Sequence, residues 1–269
     1  MSVSRTNLVA AVRHAGLSGR AVCIHCSLRS FGYVEGGARS LVDAFLQEGS
    51  TLLAPTFSWT YSSPPPPGDR PSQNGTRYDV ADREMPEQIF NPAVTAVDRD
   101  MGAVSAAVVN ASGRVRGCHP ICSFSALGPL ANDLIASQRP LAVWAPLERL
   151  VALDGAVALI GVDLTRLTLA HLAEQLAGRR PFLRWARSPQ GNVVRVRVGG
   201  CSDGFAGFES VLREVAGEYV VGESTWTVLR AKLAVELMTH AISECPDITR
   251  CFDPSCERCQ DAVAGGPLD

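Results

Sequence analysis

Hydrophobic and polar positions along the chain alternate between two periods. Residues 20–25 (Arg-Ala-Val-Cys-Ile-His), 51–57 and 156–162 are near-continuous apolar or β-branched runs of strand length, the pattern of strands covered on both faces. Between the first two, apolar residues at 41, 42, 45 and 46 recur at helical spacing over 38–47. This strand–helix–strand order predicts a parallel pair with a right-handed crossover. Further helices are predicted over 8–15 (stopped by Gly16), 101–110, 129–137, 167–177 (stopped by Gly178), 208–215 and 228–243, and residues 193–198 alternate like a strand. The stretch 58–90 breaks the pattern. It holds Ser62-Ser-Pro-Pro-Pro-Pro-Gly68 and few aliphatic residues, so it reads as a long loop, either a functional lid or a surface excursion. Strands alternating with helices predict an α/β fold, with a mixed, largely parallel central sheet flanked by helices. Residues 1–269 are expected to form a single domain, with the loop at 58–90 and a cysteine-rich tail at 245–269.

Charge narrows the function. With 25 basic and 27 acidic side chains in 269 residues, the chain lacks the basic excess that neutralises nucleic-acid phosphates. Its longest apolar stretches, such as 155–162, fall far short of the roughly 20 residues that span a bilayer. The apolar run at 8–12 is broken by Arg13 and His14 and is too short for a secretory core, so the cytoplasm is the expected compartment. Nine cysteines, an odd number without an export signal, argue against a disulfide framework. Buried hydrophobe, nucleophile and metal ligand remain as readings of the thiols.

Four constellations carry candidate chemistry. His25-Cys-Ser-Leu-Arg-Ser-Phe-Gly32 follows a predicted strand, where backbone N–H groups, the Ser27 and Ser30 hydroxyls and the Arg29 guanidinium can cradle an anion. In His119-Pro-Ile-Cys-Ser-Phe124 the proline holds the histidine on extended backbone; a satisfied, buried histidine is the plainer reading. His171-Leu-Ala-Glu174 places an imidazole and a carboxylate on one helix face, a pairing suited to general-base work and equally to a surface pair. Cys256-Glu-Arg-Cys259, with Cys251 before it, has spacing suited to zinc; Cys245, His240 and Cys201 are the candidates for a fourth ligand.

Taken in order, these segments resemble the aminoglycoside 3-N-acetyltransferase (antibiotic N-acetyltransferase) family. The resemblance runs from His25-Cys-Ser-Leu-Arg-Ser-Phe-Gly-Tyr-Val-Glu-Gly-Gly37 through 51–57, Phe90-Asn-Pro-Ala-Val-Thr95, His119-Pro-Ile-Cys-Ser-Phe124 and Thr168-Leu-Ala-His-Leu-Ala-Glu174, covering about residues 5–180 well. It implies the family's own α/β fold, distinct from the small common N-acetyltransferase fold. It also implies transfer of an acetyl group from acetyl-coenzyme A to an amine of a small cationic antibiotic, by direct attack in a ternary complex. By resemblance, His171, Glu174 and His119 are catalytic. Ser27, Arg29, Ser30 and Gly32 hold the coenzyme phosphates, and Ser123 and Phe124 line its pantetheine arm. The C-terminal cysteines look similar to those of the apramycin-acetylating branch, which implies a structural zinc on Cys201, Cys251, Cys256 and Cys259. The protein is expected as a monomer or homodimer. The alternatives are an N-acyltransferase on a non-aminoglycoside amine of secondary metabolism, or an acyl-coenzyme A-binding homologue without transfer activity.

The sequence departs from the family at three places. Thr60-Tyr61 stand where aminoglycoside-acetylating members carry an acidic residue after Phe-Ser-Trp. Residues 60–100 offset this with seven acidic residues against four arginines. Cys122 replaces the second histidine of His-Pro-x-His-Ser. Val143-Trp144-Ala-Pro-Leu147 replaces a glycine-containing approach, which puts bulk near the expected acyl pocket. Cys118 and Cys122 flank His119 and Ile121, yet an acyl-cysteine route is the lesser expectation, because direct attack needs no enzyme nucleophile.

Overall fold

The computed structural model describes residues 2–78 and 88–268. Its strands are β1 (Ser2–Val3), β2 (Ala21–Cys26), β3 (Tyr33–Val34), β4 (Thr51–Pro55), β5 (Ser62–Ser63), β6 (Val115–Arg116), β7 (Phe124–Leu127), β8 (Ala156–Ile160), β9 (Phe182–Arg187), β10 (Val193–Val198), β11 (Gly217–Val221) and β12 (Ser224–Arg230). Its α-helices are α1 (Arg5–His14), α2 (Gly37–Gln47), α3 (Gly102–Asn110), α4 (Ala131–Ile135), α5 (Ala145–Ala152), α6 (Leu169–Leu176), α7 (Glu209–Leu212), α8 (Ala231–Glu244) and α9 (Glu257–Val263).

A seven-stranded sheet in the order β11-β12-β8-β2-β4-β7-β6 divides the molecule. Parallel pairing is confined to its centre, where β2 lies between β8 and β4; the flanking pairs are antiparallel. The predicted β2-α2-β4 crossover is present. Strand period puts successive side chains into different cores. Cys23, Leu53, Val157 and Leu159 face a core built with α4, α5, α6 and α8. Val22, Ile24, Leu52, Ala54, Ala158 and Ile160 face the core under α1, α2 and α3. Every residue of β8 is buried, as expected of a strand covered on both faces. No described helix is long and apolar enough to cross a membrane.

Tertiary pairing redrew several predicted elements. The helix expected over 228–243 begins only at Ala231, because Trp226 to Arg230 pair antiparallel with Ile160 to Ala156. Residues 182–187 form a strand that the sequence pattern did not announce, paired over six positions with β10. Helix α5, also unannounced, carries Pro146 in its first turn, where a missing N–H costs nothing. The helix expected over 208–215 shrinks to one short α-turn after the 3₁₀ segment Asp203–Phe208. There Gly204 and Gly207 let backbone approach backbone: a Cβ on either would collide with the carbonyl of Thr249 or of Ile248.

The described part of the long loop is a strap fixed to the second sheet, β10-β9-β5. Asp69 accepts from the Trp185 indole N–H at 2.7 Å and the Arg195 Nε at 2.9 Å. Asn74 pairs with the Leu183 backbone in both directions. Of the seven acidic residues expected to flank a substrate, Asp69 is thus committed elsewhere; residues 79–87, with four of the others, lie outside the described residues.

Candidate active site

Beyond the carboxyl ends of β2, β4 and β8 lies a cavity of 1120 Å³, floored by Ile24 to Ser27, Pro55 and Gly161 to Asp163. This is where open α/β sheets hold ligands. One wall is the segment around Asp98 to Ala106, another Trp144 and His171, a third Gly199, Gly200 and Arg258. Pockets for drug-sized ligands occupy about 300–1,000 Å³, and this cavity slightly exceeds that range. Its described lining carries Arg29, Arg99, Arg166 and Arg258 together with Asp98, Asp100 and Asp163, a charge mixture able to hold an anion and a cation at once.

Helix α6 buries Leu169, Ala170, Leu172 and Ala173, and this face fixes the helix so that His171 and Glu174 project together. His171 Nδ1 lies 2.8 Å from Glu174 Oε2. A carboxylate only accepts, so the ring proton sits on Nδ1 and the lone pair on Nε2. The other carboxylate oxygen, Oε1, accepts from Arg179 Nη1 at 2.8 Å. Three neighbours pack closely on the imidazole. Trp144 stacks on it at 5.3 Å and 9°, Phe205 meets it edge-on at 4.8 Å, and a Cβ at Gly199 would stand 2.7 Å from Nε2. Trp144, expected near the acyl pocket, packs on the candidate base itself.

His119 lies elsewhere. It is fully buried and off the cavity. Its Nε2–H donates to the Arg197 carbonyl at 2.7 Å, and its Nδ1 accepts from the backbone N–H of Cys122 at 2.8 Å. Both ring nitrogens are spent within the protein, and burial pulls its pKa down to about 4. The residue is a neutral anchor for the 119–124 turn, with no lone pair to offer a substrate. Ser123 and Phe124 also turn away from the cavity. Ser123 Oγ is buried between Arg116 Nε and the Thr56 carbonyl, and Phe124 packs against Phe57 and Trp144. Their neighbour Cys122 does line the cavity.

Of the proposed phosphate cradle, Ser27 and Arg29 line the cavity. Ser30 stands behind the wall, its hydroxyl bonded to the Ser27 carbonyl and to Ser224 Oγ. Gly32 adopts φ +74° with Glu223 where a side chain would go, so its role is to turn the backbone. His25 and Cys26 are on the cavity floor, but burial, aided by nearby Arg166, lowers the histidine to about 4. Burial also raises the Cys26 thiol to about 12 and pushes Cys122 up. Thiols held this strongly protonated are poor nucleophiles.

The sulfurs of Cys201, Cys251, Cys256 and Cys259 all lie within 4.8 Å of one another. Tetrahedral zinc with Zn–S bonds of about 2.3 Å separates its sulfurs by roughly 3.8 Å. All four are free thiols and offer the soft donor set zinc prefers, so the residues fit the metal. Cys245 and His240 stand outside this cluster.

Several residues at the site escaped sequence reasoning. Gly199 and Phe205 carry no motif; only the fold brings them to His171. Arg179 follows Gly178 at the end of the predicted helix, and basic residues near helix ends are too common to mark it. Asp163, which adds acid to the cavity, had its signal in Asp-Leu-Thr after a strand, a cap for the following turn.

A family model described as aminoglycoside 3-N-acetyltransferase matches residues 23–243. Aminoglycoside N(3)-acetyltransferase VII of Streptomyces paromomycinus is 35% identical over 182 residues, which is 65% of this chain and 61% of that protein. Aminoglycoside N(3)-acetyltransferase III of a Salmonella species is 34% identical over 188 residues, 68% of this chain and 63% of that protein. The matched stretch thus spans less than two thirds of these relatives' length. The crystal structure of aminoglycoside acetyltransferase AAC(3)-IVa as apoenzyme superposes with a TM-score of 0.78 at 26% identity, covering 98% of each chain. A mutant of that enzyme in complex with a gentamicin gives 0.79 at 25% identity, with the same coverage. A structure of that enzyme in complex with apramycin also matches. The fold is shared as well by AAC-IIIb in a binary complex with CoASH, at TM-score 0.74, 22% identity and 91% and 97% coverage.

Proposed function

Because the chain belongs to the aminoglycoside 3-N-acetyltransferase family, we propose that it transfers an acetyl group from acetyl-coenzyme A to an amine of an aminoglycoside-like antibiotic. The observation that carries this reading is the His171–Glu174 pair standing on the wall of a large cavity lined by both arginines and aspartates. The N-acetyltransferase activity named for the relatives and the gentamicin complex of AAC(3)-IVa support acetyl transfer to an acceptor of this class.

The chemistry follows from the residues. An ammonium nitrogen has no lone pair, so the acceptor reacts as the free amine after its ammonium proton passes to water, and that amine must lose a second proton as it attacks. His171 Nε2, whose lone pair the Glu174 bond to Nδ1 leaves available, takes this second proton while nitrogen bonds to the thioester carbonyl carbon. The tetrahedral adduct collapses with cleavage of the carbon–sulfur bond. Coenzyme thiolate leaves and takes the proton held by His171, and the N-acetyl amine remains. Direct attack in a ternary complex fits a cavity lined by both charges and the strongly protonated thiols beside it. Ser27 and Arg29 would meet the coenzyme's phosphates, and Asp98, Asp100 and Asp163 the acceptor's remaining ammonium groups. Cys201, Cys251, Cys256 and Cys259 would hold a structural zinc, which supplies a cross-link rather than chemistry. We take residues 1–269 as a single unit acting in the cytoplasm.

The test is thiol release from acetyl-coenzyme A against a panel of aminoglycosides and unrelated amines. Release with aminoglycosides is expected, and none with any amine would reject the transferase reading. General bases are worth about 10²–10⁴ in rate, so His171→Ala should lower kcat by that factor while coenzyme binding, followed by calorimetry, stays intact.

A further inference from the structure

The cysteine cluster and the candidate base share their surroundings. Gly199 and Phe205, which touch the His171 ring, lie two residues before and four after Cys201. On the far side, Glu174 Oε1 is held by Arg179 Nη1, and the same nitrogen donates at 2.7 Å to Oγ1 of Thr249, two residues before Cys251. Arg179 Nη2 donates to the Pro246 carbonyl. Arg179, Glu174 and Thr249 are all buried, so this chain of contacts lies out of water, where such bonds are strong and their loss is costly. The segments 199–205 and 246–259 are those that four thiolates on one metal would join. They pack without clearance, since Gly204 and Gly207 have no room for a Cβ against Thr249 and Ile248.

We propose that Arg179 is a positioning residue: it locks the Glu174 carboxylate to the cysteine-rich tail, so that the four-thiol cluster, through Thr249, holds the His171–Glu174 pair in its working geometry. A carboxylate free to rotate would no longer keep the proton on Nδ1, and part of the histidine population would present an N–H where the base is needed. The tail is then part of the catalytic frame. This inference rests on the proposed roles of His171 and of zinc, and its test separates the three.

The variants are Arg179→Gln, Arg179→Lys and Thr249→Val, each purified as full chain and assayed for zinc content. The expected result is a fall in kcat of at least tenfold for Arg179→Gln and severalfold for Thr249→Val. KM for both substrates should stay within about twofold, and Arg179→Lys should recover part of the loss. Nitrogen-15 NMR of the His171 ring, assigned by comparison with His171→Ala, should show one Nδ1–H tautomer in the unaltered protein and mixed tautomers in Arg179→Gln and Thr249→Val. A lowered melting temperature with unchanged kcat and tautomer would make Arg179 merely structural and overturn the proposal. The tautomer readout needs no substrate, so it decides the matter even where no amine is acetylated. Zinc far below one equivalent in the unaltered protein would reject the metal, and unchanged tautomers on its chelation would overturn the tail's part in the proposal.

Discussion

A hydrogen atom where every other residue carries a carbon lets His171 sit as it does. Gly199 leaves 2.7 Å between its missing Cβ and the imidazole Nε2, a distance no real Cβ tolerates, and Trp144 and Phe205 pack on the ring. The ring therefore cannot yield without turning away from Glu174. Misplacing a reacting group by about 1 Å costs on the order of a hundredfold. Gly199→Ala is accordingly expected to lower kcat by roughly ten- to a hundredfold with little change in coenzyme KM. Steady-state kinetics check this, and a kcat within twofold would show that the ring has slack. The two histidines singled out by motif differ by their partners: His171 keeps a nitrogen free toward a cavity, while His119 spends both on backbone.

At the level of elements, the strap over 58–78 shows how a proline-rich segment without periodicity becomes ordered. It borrows structure from β9: the Asp69 carboxylate satisfies the buried Trp185 indole and pairs with Arg195, and Asn74 completes the edge at Leu183. Removing Asp69 leaves the indole N–H buried without an acceptor, and bonds to a charged group contribute about 1.5–3 kcal/mol. Asp69→Ala should thus lower unfolding free energy by roughly that amount in urea titration. Since Asp69 lies off the cavity, kcat should stay within twofold; a large loss of turnover would mean that the strap governs the site. Local propensity could not foretell β9 or β12 either. Phe-Leu-Arg-Trp-Ala-Arg and Trp-Thr-Val-Leu-Arg become strands because partners with six and five matched positions await them.

For the molecule as a whole, two neutral histidines, His119 fully buried and His25 half-buried on the cavity floor, contribute to the response to acid. His25 and His119 both fall from an ordinary 6.5 to about 4 on burial. Since the unfolded chain binds these protons more readily, their contribution is complete above pH 6.5 and is lost as pH falls toward 4. Each shift corresponds to a loss of up to roughly 3 kcal/mol. The melting temperature should fall steeply between pH 6.5 and 4, and His119→Asn should flatten that fall; a flat profile in the unaltered protein would contradict neutral burial. Spacing within single segments was enough to read the β2-α2-β4 crossover, the α6 face that pairs His171 with Glu174, and the gathering of C-terminal thiols. Local pattern is a property of neighbours in the chain, so a sequence displays it directly. The choice of Cys201 over Cys245 or His240 came from the family resemblance, and the four sulfurs do lie together. Which of His119 and His171 lines the cavity, and the framing of the base by Arg179, Gly199 and Phe205, emerged only in three dimensions. Those facts depend on contacts between residues far apart along the chain, and the pattern of neighbours in a sequence carries no record of which distant surfaces will meet.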